Sequence, residues 1–251
     1  MAEVGPGLTR DRLLGGRVVL DQPASGLRAT TDAVLLAAAV GPGPAETVLE
    51  LGCGAGAATL CLAVRALGCR IVGLEADADL AALATANAAL NGAGRRVAIV
   101  AGALPGAAAG ELDGPFDHVM TNPPYLPAGR GRQGGDAARA AAKVEGVDLA
   151  AWLGYGLARL KPRGVLTLVQ RADRLDDILA ALSGPAGDIA VFPLWPDGKG
   201  VKPARRVLIR ARKGVRSPLR LLPGLVLHGA GGAYTQAAQL ILRDGKPLVW
   251  S

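Results

Sequence analysis

Apolar residues along this 251-residue chain fall into short blocks separated by turn residues. Thr47–Leu51, Arg70–Leu74, Arg96–Val100, Phe116–Thr121 and Val165–Gln170 each read as a brief apolar run, the pattern of a buried strand. Helical stretches lie between them. One follows a glycine-rich turn and runs to about Leu67. The next, Asp77–Leu90, ends at Asn91-Gly92. Asp148–Leu160 is stopped by Lys161-Pro162-Arg163-Gly164, and Leu175–Leu182 follows. Strands at Ile189–Leu194 and Arg206–Ala211 complete the series. Strands alternating with helices predict a parallel sheet with helices on both faces. Only the Gly- and Pro-bearing segment Trp195–Ala204 joins the last two strands. It is too irregular for a crossover helix, so the final strand is expected to run antiparallel.

The ends are less regular. Gly16–Leu20 alternates weakly and predicts a short strand, with a turn over Pro23–Gly26. Thr30 or Thr31 caps a helix through Val40 and puts Asp32 in its favourable first turn. Pro42-Gly43-Pro44 then breaks the chain. In the tail, Leu225–His228 reads as a strand and Tyr234–Arg243 as a helix. The expected organisation is an extension over 1–45, a central α/β domain over 46–213, and a strand/helix extension over 214–251 packed on that domain.

Composition narrows the class. Half the residues are apolar and only 3% are aromatic, so the core is built from Ala, Leu and Val. The three cysteines (Cys53, Cys61, Cys69) form no C-x-x-C pair, which fits reduced thiols in the cytoplasm rather than a disulfide frame. Met1–Arg12 is polar and lacks the apolar region of a signal peptide. The richest apolar stretch, Ala33–Val40, ends in Gly and Pro well short of a membrane span. No His, Cys and Asp/Glu spacing suggests a metal site.

The net charge of +7 is local. Nine basic residues and no acidic one lie between Lys199 and Arg220. Such a stretch suits a phosphate-binding face, or an edge strand guarded by cations. The absence of acids favours nucleic acid.

Two motifs carry chemistry. Strand one runs into Glu50-Leu51-Gly52-Cys53-Gly54-Ala55-Gly56, and Glu75 ends strand two. Glycines let backbone approach a ligand at the strand's carboxyl end, and an acid at Glu75 can hold ribose hydroxyls. Read as G-x-G-x-x-A, the turn suits NAD. Read as E-x-G-x-G-x-G, it suits S-adenosylmethionine, whose cationic groups favour Glu50 and Asp32 nearby. The second motif is Asn122-Pro123-Pro124-Tyr125, at the end of the strand Phe116–Thr121. Two prolines stiffen this corner. The Asn122 amide oxygen and a backbone carbonyl can each accept an N–H from an exocyclic NH2, while Tyr125 stacks on the ring. A methyl donor beside an amino acceptor decides for S-adenosylmethionine.

These segments, with Leu14-Gly15-Gly16-Arg17-Val18, Arg28 to Leu36 and Tyr234 with its helix, resemble the class I S-adenosylmethionine-dependent methyltransferases of nitrogen. More narrowly the chain is similar to the bacterial tRNA(Val) adenine-N6 methyltransferase family, over nearly its whole length. The resemblance implies a Rossmann-like seven-stranded sheet, mostly parallel, with the last strand antiparallel. It implies that Glu50, Gly52, Cys53, Gly54 and Gly56 line the cofactor pocket and Glu75 holds the ribose. Thr31 and Asp32 would lie near the methionine end, with 1–45 covering the site. Asn122 and Pro123 would orient the target nitrogen, with Pro124 and Tyr125 completing the corner. The family's acid after strand three is replaced here by Ala103 and Leu104, whose backbone would serve the cofactor adenine. Arg130, Arg132, Arg139 and Lys143 would meet tRNA phosphates along with Lys199–Arg220. No obligate protein partner and no membrane are implied. Methylation of a protein glutamine or an rRNA base, and a non-catalytic RNA-binding role, are the rival readings.

Overall fold

The computed structural model describes residues 5–26, 28–104, 112, 114–124, 148–198 and 202–251. The expectations on Tyr125, Arg130, Arg132, Arg139, Lys143 and Lys199 lie outside the described residues.

The chain opens with an antiparallel hairpin of β1 (Leu8–Leu13) and β2 (Val18–Pro23). The apolar pattern misses β1 because its centre is Thr9-Arg10-Asp11-Arg12. That polar run is held across the hairpin instead: Arg10 donates twice to its register partner Asp21, both bonds at 2.7 Å. Opposite charges directly across a ladder stabilise it. Helix α1 (Thr31–Ala39) follows, capped by Thr30 rather than Thr31. It is buried from Asp32 to Ala39, as a helix apolar on all sides must be.

The main sheet then builds through β3 (Thr47–Leu51), α2 (Ala57–Arg65), β4 (Arg70–Glu75), α3 (Ala78–Leu90), β5 (Val97–Ala101), β6 (Phe116–Thr121), α4 (Leu149–Arg159), β7 (Leu160–Arg171), α5 (Leu175–Leu182), β8 (Ala186–Asp197) and β9 (Arg206–Lys213). Spatially these seven strands run β8-β9-β7-β6-β3-β4-β5. All are parallel except β9, which is antiparallel to both β7 and β8. The expected reversal of Arg206–Ala211 is therefore present.

The sheet is wider than the expected seven strands. β10 (Arg220–Leu221) and β11 (Leu225–His228) both pair with the outer edge of β8, giving nine strands. They occupy N–H and C=O groups that would otherwise form an open edge. β7 is also longer than expected. It begins at Leu160 and passes through Lys161–Gly164 at an irregularity in its pairing with β6. Pro and Gly there interrupt the ladder without ending the strand.

Two apolar clusters cover the two faces. One joins α1, α2 and the hairpin (Leu20, Leu35, Leu36, Leu60, Leu62). The other lies under α4 and α5 (Trp152, Leu153, Ile178, Leu182). After α6 (Gln236–Leu242) the tail returns to α1. Leu248 N donates to Ala38 O at 2.8 Å and Trp250 Nε1 to Ala39 O at 2.9 Å, satisfying carbonyls at the helix end. Among the described residues no helix is long and apolar enough to cross a membrane.

Candidate active site

Leu51 and Thr121 are register partners on the adjacent parallel strands β3 and β6. The Gly52–Gly56 bend and the Asn122-Pro123-Pro124 segment therefore leave neighbouring strands at the same end of the sheet, side by side. One side chain joins them. Trp152 Nε1 donates to Thr121 Oγ1 at 2.9 Å, and Thr121 Oγ1 donates to Leu51 O at 2.9 Å. The Trp152 ring lies against Gly52, where a Cβ would stand 3.2 Å from it. Gly52 also has φ of +71°, so a side chain there would meet both strain and the indole.

The bend is tied to the end of β4. Gly52 N and Cys53 N both donate to Leu74 O, at 2.8 and 3.1 Å. The Glu75 carboxylate accepts from Gly54 N at 2.7 Å and from Asp77 N at 3.0 Å. Asp77 in turn caps α3 through Asp79 N and Leu80 N. Gly54 turns outward: a Cβ there would meet no described atom within 4 Å. Cys53 is buried against Gly73, and burial pushes its thiol well above the ordinary range, with Glu50 and Glu75 adding to the shift.

Glu50 lies on β3, two residues before Gly52. It is 3% exposed, and its carboxylate takes the hydroxyl of Thr59 on α2 in a short hydrogen bond. Burial pushes this carboxyl up to about 8, against the opposing pull of Thr59. Asp32, at the start of α1, pairs with Arg206 at 3.0 Å. Arg206 opens β9, so this pair sits at the crevice end of the sheet.

Asn122 and Pro124 are partly buried and Pro123 is buried. The Pro123 carbonyl accepts a hydrogen bond from Gln170 Nε2 at 3.3 Å, and Gln170 Oε1 accepts from Arg171 N at 2.8 Å. Gln170 is 1% exposed at the end of β7. The sequence reading missed it; the available signal was an amide closing an otherwise apolar strand. Past β5, Gly102 N donates to Glu75 O at 2.8 Å, which holds the segment beside β4. Ala103 is exposed and Leu104 packs on the cluster under α4.

The basic stretch does not form one face. Because β9 runs antiparallel, Arg206 stands at the crevice end and Lys213 at the opposite end. Lys202 pairs with Asp197 at 3.4 Å. Arg212 and Arg220 share Asp188, at 3.4 and 3.1 Å. Lys213 donates to Leu160 O at 2.7 Å. The Arg210 guanidinium lies 4.8 Å from the centre of the Trp250 ring, where burial lowers its pKa. Much of this charge is thus engaged within the fold. The three cysteines are free and buried. No group of three His, Cys, Asp or Glu able to hold a metal occurs among the described residues.

A reversed strand inside an otherwise parallel sheet, with a glycine bend after its first strand, is the architecture of the class I S-adenosylmethionine-dependent methyltransferases. The solved structure of an Agrobacterium tumefaciens protein described as a predicted O-methyltransferase superposes with a TM-score of 0.71 at 26% identity, covering 87% of this chain and 98% of that one. The chain belongs to the methyltransferase small domain family, whose model matches residues 30–174. It is 32% identical over 218 residues to the tRNA1(Val) (adenine(37)-N6)-methyltransferase of Aeromonas hydrophila, across 86% of this chain and 89% of that protein. A shorter likeness, 34% over 94 residues, links it to the release factor glutamine methyltransferase of Chlorobaculum tepidum, across 37% of this chain and 32% of that protein.

S-adenosylmethionine is the cofactor of this class, and the residues fit it. Gly54 opens onto space, and each Glu75 oxygen takes one N–H among the described residues, keeping a lone pair for a hydroxyl.

Proposed function

We propose that this protein is a cytoplasmic enzyme that methylates N6 of an adenine in tRNA, using S-adenosylmethionine. The observation that carries the reading is the Leu51–Thr121 register, which makes the glycine bend and the Asn-Pro-Pro segment neighbours. Similarity to the Aeromonas enzyme along most of both chains supports tRNA as the substrate.

In this reading Glu75 holds the cofactor's ribose. Glu50, Gly52, Cys53, Gly54 and Gly56 shape its pocket. Thr31 and Asp32 lie toward its methionine end, and backbone at Ala103 and Leu104 meets its adenine. When bound, the cofactor supplies an electrophilic methyl group on a sulfonium. The adenine N6 lone pair is delocalised into the ring, so the amine is a poor nucleophile. Asn122 Oδ1 and the Pro123 carbonyl each accept one of its N–H bonds, which draws the nitrogen toward tetrahedral geometry and aims its lone pair. A carbonyl has two lone pairs, so Pro123 can take the amine while Gln170 keeps it oriented. Tyr125 stacks on the base. No strong base is required, because the amine turns acidic as it is alkylated. Positioning supplies most of the rate. Arg205 and Arg206, at the crevice end of the basic stretch, and Arg130 and Arg132 approach tRNA phosphates.

The test is transfer of labelled methyl from S-adenosylmethionine to total tRNA, total rRNA and release-factor protein in parallel, with nucleoside analysis. We expect N6-methyladenosine in tRNA. Label in glutamine or rRNA alone, or none in any of the three, overturns the reading.

A further inference from the structure

A groove of about 550 Å³ lies outside the glycine and Asn-Pro-Pro bends. The hairpin turn forms one wall through Arg12 and Leu14, and α6 forms the other through Gln239 and Arg243. Thr30 and Thr31, at the start of α1, border it, and Tyr234 stands in its lining. Its volume is that of a small-molecule site. None of the lining residues is acidic, while two exposed arginines flank it.

Tyr234 is the unusual member. It is 39% exposed in a chain with eight aromatic residues. Its ring stacks on His228 with centroids 4.6 Å apart and planes 25° from parallel. The His228 ring is itself fixed, with Nδ1 donating to Pro196 O at 3.0 Å. One face of the tyrosine is therefore backed by an anchored imidazole, and the residue lines the groove. The backbone helps to hold the pair, since His228 and Tyr234 bridge each other.

One border of the groove reaches the crevice end of the sheet. β11 runs parallel to β8 and sets His228 opposite Asp197, the last residue of β8. Thr31 on the groove's border precedes Asp32, which reaches Arg206 at that same end.

We propose that this groove binds single-stranded RNA next to the target adenine, with a neighbouring base stacked on Tyr234 and phosphates met by Arg12 and Arg243. A base drawn out of its stack into a catalytic pocket leaves neighbours that must be held if the target is to stay in register. An aromatic platform flanked by cations is how proteins hold unstacked nucleotides, since every base has a π face and every linkage a negative charge. The apolar floor of Leu14, Val34 and Leu242 suits the edge of a base. The inference rests on the RNA-methylation reading and adds where the strand around the target is gripped.

Steady-state methylation of total tRNA and binding of an unstructured oligoadenylate test it together. Tyr234→Ala should raise KM for tRNA about tenfold, with kcat and S-adenosylmethionine affinity unchanged. Tyr234→Phe should behave as wild type, because the stacking ring remains. The pair Arg12→Ala with Arg243→Ala should flatten the slope of log K against log salt for oligoadenylate by about 1.4, some 0.7 for each lost phosphate contact. An unaltered KM in Tyr234→Ala together with an unaltered slope in the arginine pair overturns the groove assignment. If the wild type labels no tRNA, the methylation reading fails instead, and the oligoadenylate slopes still decide the groove.

Discussion

Two carboxylates at opposite ends of the central sheet, Asp117 and Glu50, are held in opposite ways. At the amino end, charges are matched to one another. Asp117 receives Lys161 Nζ at 2.8 Å, together with the Thr47 amide at 2.9 Å and its hydroxyl at 3.0 Å. Burial pushes that carboxyl up, but these partners outweigh it and hold it at about 2. Beside it, Glu46 bonds Gly43 N and His118, both of which lower its pKa. At the carboxyl end, Glu50 is buried with a hydroxyl for company and is pushed the other way, to about 8. The glycine bend there takes left-handed φ values at three of its glycines. One end is arranged for stability. The other carries burial cost and unusual backbone, which is where functional sites concentrate.

Three substitutions probe that contrast. The largest effect belongs to Asn122→Ala at the carboxyl end. Methyl transfer should fall about 10²- to 10³-fold, the usual cost of one well-placed catalytic hydrogen bond, while calorimetry finds S-adenosylmethionine binding intact. Undiminished turnover would place the chemistry elsewhere.

Next comes Glu50→Gln. Below pH 4.5 the carboxyl is protonated whether the chain is folded or not. As pH rises toward 8 the unfolded chain ionises first, so the folded state loses ground. Denaturant unfolding should therefore show the stability difference shifting toward the glutamine variant by about 3 kcal/mol between pH 5 and pH 8. A difference that ignores pH would mean the carboxyl is ionised after all.

Asp117→Asn, at the amino end, has the smallest effect and the reverse sign. The folded carboxyl titrates near 2 against an ordinary 3.8, so its contribution is present above pH 4 and disappears as pH falls toward 2. We expect wild type to exceed this variant by about 2 kcal/mol at neutral pH, an advantage that shrinks in acid. Methyl transfer at neutral pH should not change. A fall in activity with stability preserved would erase the distinction between the two ends.

Much of this was legible in the chain. Phe116–Thr121, Leu175–Leu182 and Leu225–His228 form as read, because each is a compact apolar block between clear turn signals. The reversal of β9 followed from the character of its connection. Strand β1 was not legible, because Arg10 and Asp11 find partners across the hairpin and in Arg28 rather than in a core. The start of β7 was hidden by Pro162 and Gly164, which signal a stop even where the chain runs on extended. Gln170 was hidden because its partner is a carbonyl in the segment that follows β6. The spread of the basic run was hidden for a related reason: eight residues of β9 at about 3.4 Å each carry its charges from one end of the sheet to the other. Proximity along the chain said little about proximity in space.

Trp152 has a consequence of its own. Its indole N–H serves the strand before Asn122, and its ring edge abuts the first glycine of the neighbouring bend. The gap between the two halves of the site is thus gauged by a rigid bicyclic plate instead of a flexible linker. Any drift of one half must tilt the plate against the other, so the two can only be misaligned together.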